Sequence, residues 1–174
     1  MKKSVKKLVY AGMCLALCMV LPLITLNNQQ LGNAFCLIHI PVLLCAFLCG
    51  PWYALMVGIV APYLHFVIFG MPPLFPTGVS MCFELAVYGA VCGLLYKNLP
   101  KKTGSIYMSL IAAMLAGRLV YGAVRALLTM VSNTTYTWVM FFTGEFANAV
   151  IGIALHIALI PLIVLALKKA KIMD

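Results

Sequence analysis

Residues 8–26, LVYAGMCLALCMVLPLITL, follow Lys2, Lys3, Lys6 and Lys7 and carry no charged side chain. A helix needs about 20 apolar residues to cross the hydrocarbon of a bilayer, and this run is long enough. It has no small-residue cleavage site after it, so it is expected to stay as a first membrane helix rather than be removed as a signal peptide. Working outward, the whole chain has the same character: 174 residues, 65% hydrophobic and 9% charged, with a mean hydropathy of +1.11. Twelve basic and three acidic residues are too few to cover the surface of a soluble domain of this length. Lipid is therefore the expected solvent for most of the surface.

Similar runs recur, and the expected fold is an all-α integral membrane protein of six transmembrane helices, at about 8–26, 34–50, 52–69, 77–96, 106–131 and 139–167. Gly50–Pro51 barely separates the second from the third, which predicts a tight hairpin with Pro51 opening the next helix. Every lysine falls at an end of the chain or in the Lys97–Lys102 loop, and 27–33, 70–76 and 132–138 contain no lysine or arginine. That segregation predicts both termini on the cytoplasmic side. The net charge of +9 is thus a topology signal rather than a nucleic-acid footprint. No end or loop is long enough for a soluble domain, so the chain reads as one membrane domain, 1–174, without an ATPase of its own.

Seven cysteines invite a disulfide or metal reading. Cys14 and Cys18 lie one helical turn apart, as do Cys45 and Cys49, and no C-x-x-C occurs, so they are expected as small buried hydrophobes. No H-E-x-x-H or G-x-S-x-G motif is present, and the chain is expected not to be an enzyme. A small integral membrane enzyme and a homo-oligomeric channel, with no energising module, remain open as readings. No filter-like repeat supports the channel.

Beyond the lysines and Asp174, the charged residues are Glu84, Arg118, Arg125 and Glu145, all inside membrane runs. Such residues are costly in lipid and usually face an interior or a cavity. From the helical rise, Arg125 and Glu145 each lie roughly 9 Å, Glu84 roughly 12 Å and Arg118 roughly 19 Å from the lysine-free ends of their helices. Arg118 and Arg125 share a helix face with Tyr121, Glu84 shares one with Tyr88, and Glu145 shares one with Asn148, Gly152 and His156. Three helices therefore carry polar stripes, which predicts a polar pocket open toward the lysine-free side. Simple Glu–Arg pairing between helices is the competing explanation. His39, with Asn33 in the loop before it, is expected at the pocket mouth. His65 and His156 are expected as hydrogen-bonded interior residues, and metal ligation is not expected.

His39-Ile40-Pro41-Val42-Leu43-Leu44 followed by Phe47-Leu48-Cys49-Gly50-Pro51, and Gly70-Met71-Pro72-Pro73, resemble the substrate-binding S components of energy-coupling factor (ECF) transporters. So do Phe83-Glu84-Leu85-Ala86-Val87-Tyr88-Gly89, Glu145-Phe146-Ala147-Asn148-Ala149 with Gly152, and Ile160-Pro161-Leu162-Ile163-Val164. The likeness spans essentially the whole chain. It implies a prokaryotic plasma-membrane subunit that captures a vitamin or vitamin precursor from outside. It also implies docking on a transmembrane T subunit with two cytoplasmic ATPases, which use the ATP; this chain itself would bind no cofactor. The resemblance places the pocket in the outer parts of helices four to six, capped by the first, third and fifth loops. The candidate substrate-binding residues are Asn33, His39, Glu84, Tyr88, Arg118, Tyr121, Arg125, Glu145 and Asn148. The family's small-residue docking face on helix one corresponds here to Gly12 and Ala16, with glycine in place of the first alanine. A pantothenate-like cargo is slightly favoured, with a pyridoxine- or hydroxymethylpyrimidine-like one next.

Overall fold

A computed structural model describes residues 3–25, 35–100, 102–131, 137, 139, 142–143 and 149–172. Among them every regular element is helical. α1 (Lys3–Val20) tightens into a 3-10 turn, Leu21–Thr25, around Pro22, which has no N–H to continue the α-helical ladder. α2 (His39–Cys49) and α3 (Pro51–Phe69) meet at Gly50, whose φ of 94° suits a residue without Cβ, and Pro51 takes the first helical position. The hairpin expected at Gly50–Pro51 is present. A loose turn, Leu74–Gly78, with Phe75 extended, leads into α4 (Val79–Asn98). α5 (Thr103–Val131) and α6 (Val150–Lys169) complete the described helices.

Among the described residues, five helices are long and apolar enough to cross a membrane: Ser4–Ile24, Pro51–Phe69, Leu74–Asn98, Thr103–Met130 and Val150–Lys169. The second expected span is shorter than the sequence predicted. Its helix begins at His39, because Cys36 adopts a left-handed φ of 49°, and it rises only about 16 Å against roughly 30 Å of hydrocarbon. All of α2 except Leu48 is buried, so it is a core helix wrapped by the longer ones. The sixth expected span, 139–167, is described as a continuous helix only from Val150; most of its earlier part lies outside the described residues.

The solvent logic is that of lipid. Leu8, Trp52, Leu119 and Leu162 point outward, while the buried positions include Glu84, Arg118 and three histidines. Lysines collect at one end of the bundle. Cys49 donates its S–H to the Lys7 carbonyl at 3.3 Å, Ser4 and Tyr53 hydroxyls meet at 3.3 Å, and Lys168 Nζ lies 5.3 Å from the Tyr96 ring centre. The starts of α1 and α3 thus lie with the end of α2, and the ends of α4 and α6 lie together.

The closest backbone-to-backbone contact joins α3 to α4. A Cβ on Gly58 would fall 2.4 Å from the Leu85 carbonyl oxygen, on Gly89 2.5 Å from the Ala54 backbone, and on Gly93 2.6 Å from Pro51 Cα. The two backbones touch along a ladder of small residues, the mode by which membrane helices gain dispersion contact when no hydrophobic force separates helix from lipid. This seam fixes the height and rotation of α4, and hence where its polar face points.

Candidate functional site

The polar face of α4 turns toward α2 and α5. Glu84, 2% exposed, lies at the centre: its Oε2 is 3.5 Å from His39 Nε2 on α2, and its Oε1 is 3.6 Å from Arg118 NH1 on α5. One turn along α4, the buried Tyr88 places its ring 5.3 Å from that of His39. The buried Tyr88 hydroxyl has no hydrogen-bond partner. Gly117 makes room for this arrangement, since a Cβ there would fall 2.0 Å from the Tyr88 ring. The depth arithmetic set Glu84 and Arg118 on different levels; the long guanidinium arm closes that difference.

α6 enters the cluster through His156, 1% exposed, whose ring centre is 6.1 Å from that of His39. Its Nε2 is 3.2 Å from the Cys36 carbonyl oxygen, which also accepts the His39 N–H at 3.0 Å. Arg118 NH2 reaches the Cys36 sulfur at 3.4 Å. The broken backbone before α2 therefore supplies a carbonyl and a thiol to groups from α5 and α6. A left-handed non-glycine residue costs about 1–3 kcal/mol and persists only where its surroundings hold it, and here three contacts do.

Toward the lysine-free end, Arg125 NH1 donates to Thr77 Oγ1 at 2.5 Å, tying α5 to the turn before α4. Tyr121, between the two arginines along α5, is buried. His65 Nδ1 meets the Met71 carbonyl at 2.6 Å and fastens the end of α3 to the following loop.

His39, Glu84, Tyr88 and Arg118 are thus brought together, with Arg125 and Tyr121 farther along α5. His39 departs from the expected position: it is 4% exposed and belongs to the inner cluster rather than to a mouth. The reason is the break at Cys36, which starts α2 deeper than a helix opening at residue 34 would. Asn33, Glu145 and Asn148 lie outside the described residues, and so does any meeting of Arg125 with Glu145. Sequence reasoning missed Cys36 and Thr77; His156, expected on the polar stripe of the last helix as a hydrogen-bonded interior residue, is buried and bonded to the Cys36 carbonyl. Gly12 and Ala16 lie on the exposed face of α1, and a Cβ on Gly12 would meet nothing within 4 Å. Internal packing therefore does not account for them.

A glutamate, an arginine, two histidines and a tyrosine are gathered here at a level where each is costly in lipid. Removing one partner of a buried ion pair costs about 3–5 kcal/mol, so the pair itself is self-maintaining. The contacts of Glu84 with His39 at 3.5 Å and with Arg118 at 3.6 Å are longer than hydrogen bonds, which leaves lone pairs on Glu84 for a further donor. Among the described residues no three His, Cys, Asp or Glu side chains are placed to hold a metal ion. The arrangement suits recognition of a small polar molecule by hydrogen bonds.

A family model described as ECF transporter, substrate-specific component, matches residues 6–166. No curated protein and no solved structure matches the chain.

Proposed function

We infer the role of this chain from a settled premise: it belongs to the ECF transporter substrate-specific components, which are binding subunits for transport rather than enzymes. Membership implies a small-molecule substrate and association with ECF T and ATPase modules. We propose further that this chain crosses the membrane six times with both ends cytoplasmic, α2 and the residues before it forming the second crossing. Its cargo is a vitamin or vitamin precursor taken from outside, a pantothenate-like molecule first and a pyridoxine- or hydroxymethylpyrimidine-like one second.

The observation that carries this reading is the inner cluster. Holding helices together needs one ion pair, and Glu84–Arg118 is that pair. His39, Tyr88 and His156 around it are further buried polar groups, more than that one pair requires. Because Arg118 faces Glu84, the carboxylate of a pantothenate-like cargo is directed at Arg125 in the outer layer, with Tyr88 and Asn148 reading its hydroxyls and amide. ATP is consumed by the partner ATPases, and Gly12 and Ala16 on the bare face of α1 meet the T subunit. Close helix approach needs small residues, and these two present them to the outside.

Titration calorimetry of detergent-purified protein with pantothenate tests the cargo. Saturable binding is expected, weakened at least about tenfold in Arg125→Ala, as follows from losing a charge-assisted contact of about 1.5–3 kcal/mol. Absence of pantothenate binding to the wild type, or affinity unchanged in Arg125→Ala, contradicts this orientation.

A further inference from the structure

The hydrogen-bonding state of the two buried histidines specifies what they still need. A carbonyl oxygen only accepts, so His156 must present Nε2–H to Cys36, and as a neutral ring it keeps a bare lone pair on Nδ1. His39 turns Nε2 toward the Glu84 carboxylate, which also only accepts, and the same reasoning leaves Nδ1 of His39 as an acceptor. Arg118 already balances the Glu84 charge, so a further charge at this depth would be uncompensated. Neither Nδ1 has a hydrogen-bond partner, nor has the Tyr88 hydroxyl, and all three residues are more than nine-tenths buried. An unmet buried polar atom costs about 1–3 kcal/mol, and these three stand beside His39 Nε2 and Glu84 Oε1, which also lack a hydrogen bond.

What the cluster offers is therefore two acceptors, one hydroxyl that can act either way, and a carboxylate with spare lone pairs. What these acceptors lack is a donor, since the Arg118 guanidinium faces Glu84 and the Cys36 sulfur. A carboxylate or phosphate group brings none at neutral pH and would be repelled by Glu84.

We propose that the innermost group a substrate presents to this chain is an uncharged hydrogen-bond donor, a hydroxyl or amide N–H, received by Nδ1 of His156 and of His39 beside Tyr88. This deepens the reading above and rests on it. The substrate enters with its hydroxylated end foremost, and any anionic end stays outward toward Arg125. His156 becomes a specificity-determining residue contributed by α6, a role its apolar sequence neighbours do not announce.

The test compares two ligands on two proteins by titration calorimetry: pantothenate and its dideoxy analogue, in which both hydroxyls are replaced by hydrogen and the carboxylate is kept, on wild type and on His156→Gln. Glutamine places an amide donor where Nε2–H stood, so the Cys36 contact is preserved while the Nδ1 acceptor is lost; unliganded melting temperatures check that the fold is intact. Wild type is expected to prefer pantothenate over the analogue by about a hundredfold, because a site with buried polar groups rejects a ligand that leaves them unpaired. His156→Gln is expected to weaken pantothenate at least about tenfold and the analogue hardly at all, so that the preference shrinks. Equal weakening of both ligands, or none, overturns the proposal while leaving the transport role standing. Should pyridoxine bind in place of pantothenate, the same cycle is run with pyridoxine and its deoxy analogue. Failure of the wild type to bind either compound overturns the cargo reading, and this inference falls with it.

Discussion

Small residues line one face of α4 and one face of α1, and only the first is filled. Gly89 and Gly93 sit against the backbone of α3, with Ala54 and Pro51 so near that a methyl group has no room. Gly12, with Ala16 one turn on, has nothing opposite. The sequence patterns are alike, G-x-x-x-G at Gly89 and G-x-x-x-A at Gly12. A small-residue step marks where a backbone can come close, and the surrounding fold decides whether the visitor is an internal helix or another chain. In α4 the visitor is α3, and the contact serves stability. In α1 the face is open, and under the proposed docking its contact would serve assembly.

Substitutions at the glycines separate these two uses. Gly89→Val is expected to have the largest effect: its branched side chain would drive into the Ala54 backbone, and backbone cannot step aside. Overpacking costs about 1–3 kcal/mol for added methylenes in a close-packed core, and a β-branched residue here exceeds that range. Size-exclusion chromatography of the detergent extract should show little monodisperse protein. Adding Ala54→Gly should not restore it, because the obstructing atoms belong to the main chain; recovery by that second change would mean the seam is looser than described. Gly117→Ala comes next. Its Cβ would meet the Tyr88 ring, a side chain that can move, so thermal stability should fall by about 1–2 kcal/mol. Ligand affinity should fall more, since the ring moves into the His39–Glu84 cluster. Gly12→Leu and Ala16→Leu should have the smallest effect on the isolated protein, within about 0.5 kcal/mol and without change in ligand affinity. Yet they should abolish cellular uptake of labelled vitamin. Retained uptake in both would remove the docking role from this face.

Much of the fold was legible because a membrane imposes a length and a polarity on each crossing. Residues 52–69 were expected as a helix and Pro51–Phe69 is one; 106–131 was expected and Thr103–Val131 is found. The second helix was misjudged at its start, since an apolar run gives no warning that Cys36 will leave the helical region. In the site, Glu84 and Arg118 stood out because an ionised group inside a membrane run needs a reason. Cys36 and Thr77 carry no such cost: a thiol reads as a small hydrophobe and a threonine hydroxyl can satisfy itself on its own helix. The carbonyl of Cys36 is a backbone group, and side-chain patterns do not announce it. His156 was visible on the polar stripe of the last helix, but its partner was not, because the Cys36 carbonyl lies far away in sequence. The α3–α4 seam was equally hidden, its steps of four residues scattered through two strongly apolar helices.

Mass spectrometry of the small molecules released by denaturing the purified, detergent-solubilised protein tests the central claim most directly. The account predicts a single vitamin or vitamin precursor, near stoichiometric, carrying at least one hydroxyl or amide donor, and retained in Gly12→Leu. Wild-type protein that releases no such compound, and is not stabilised against heat by any of a panel of B-vitamins, would contradict it.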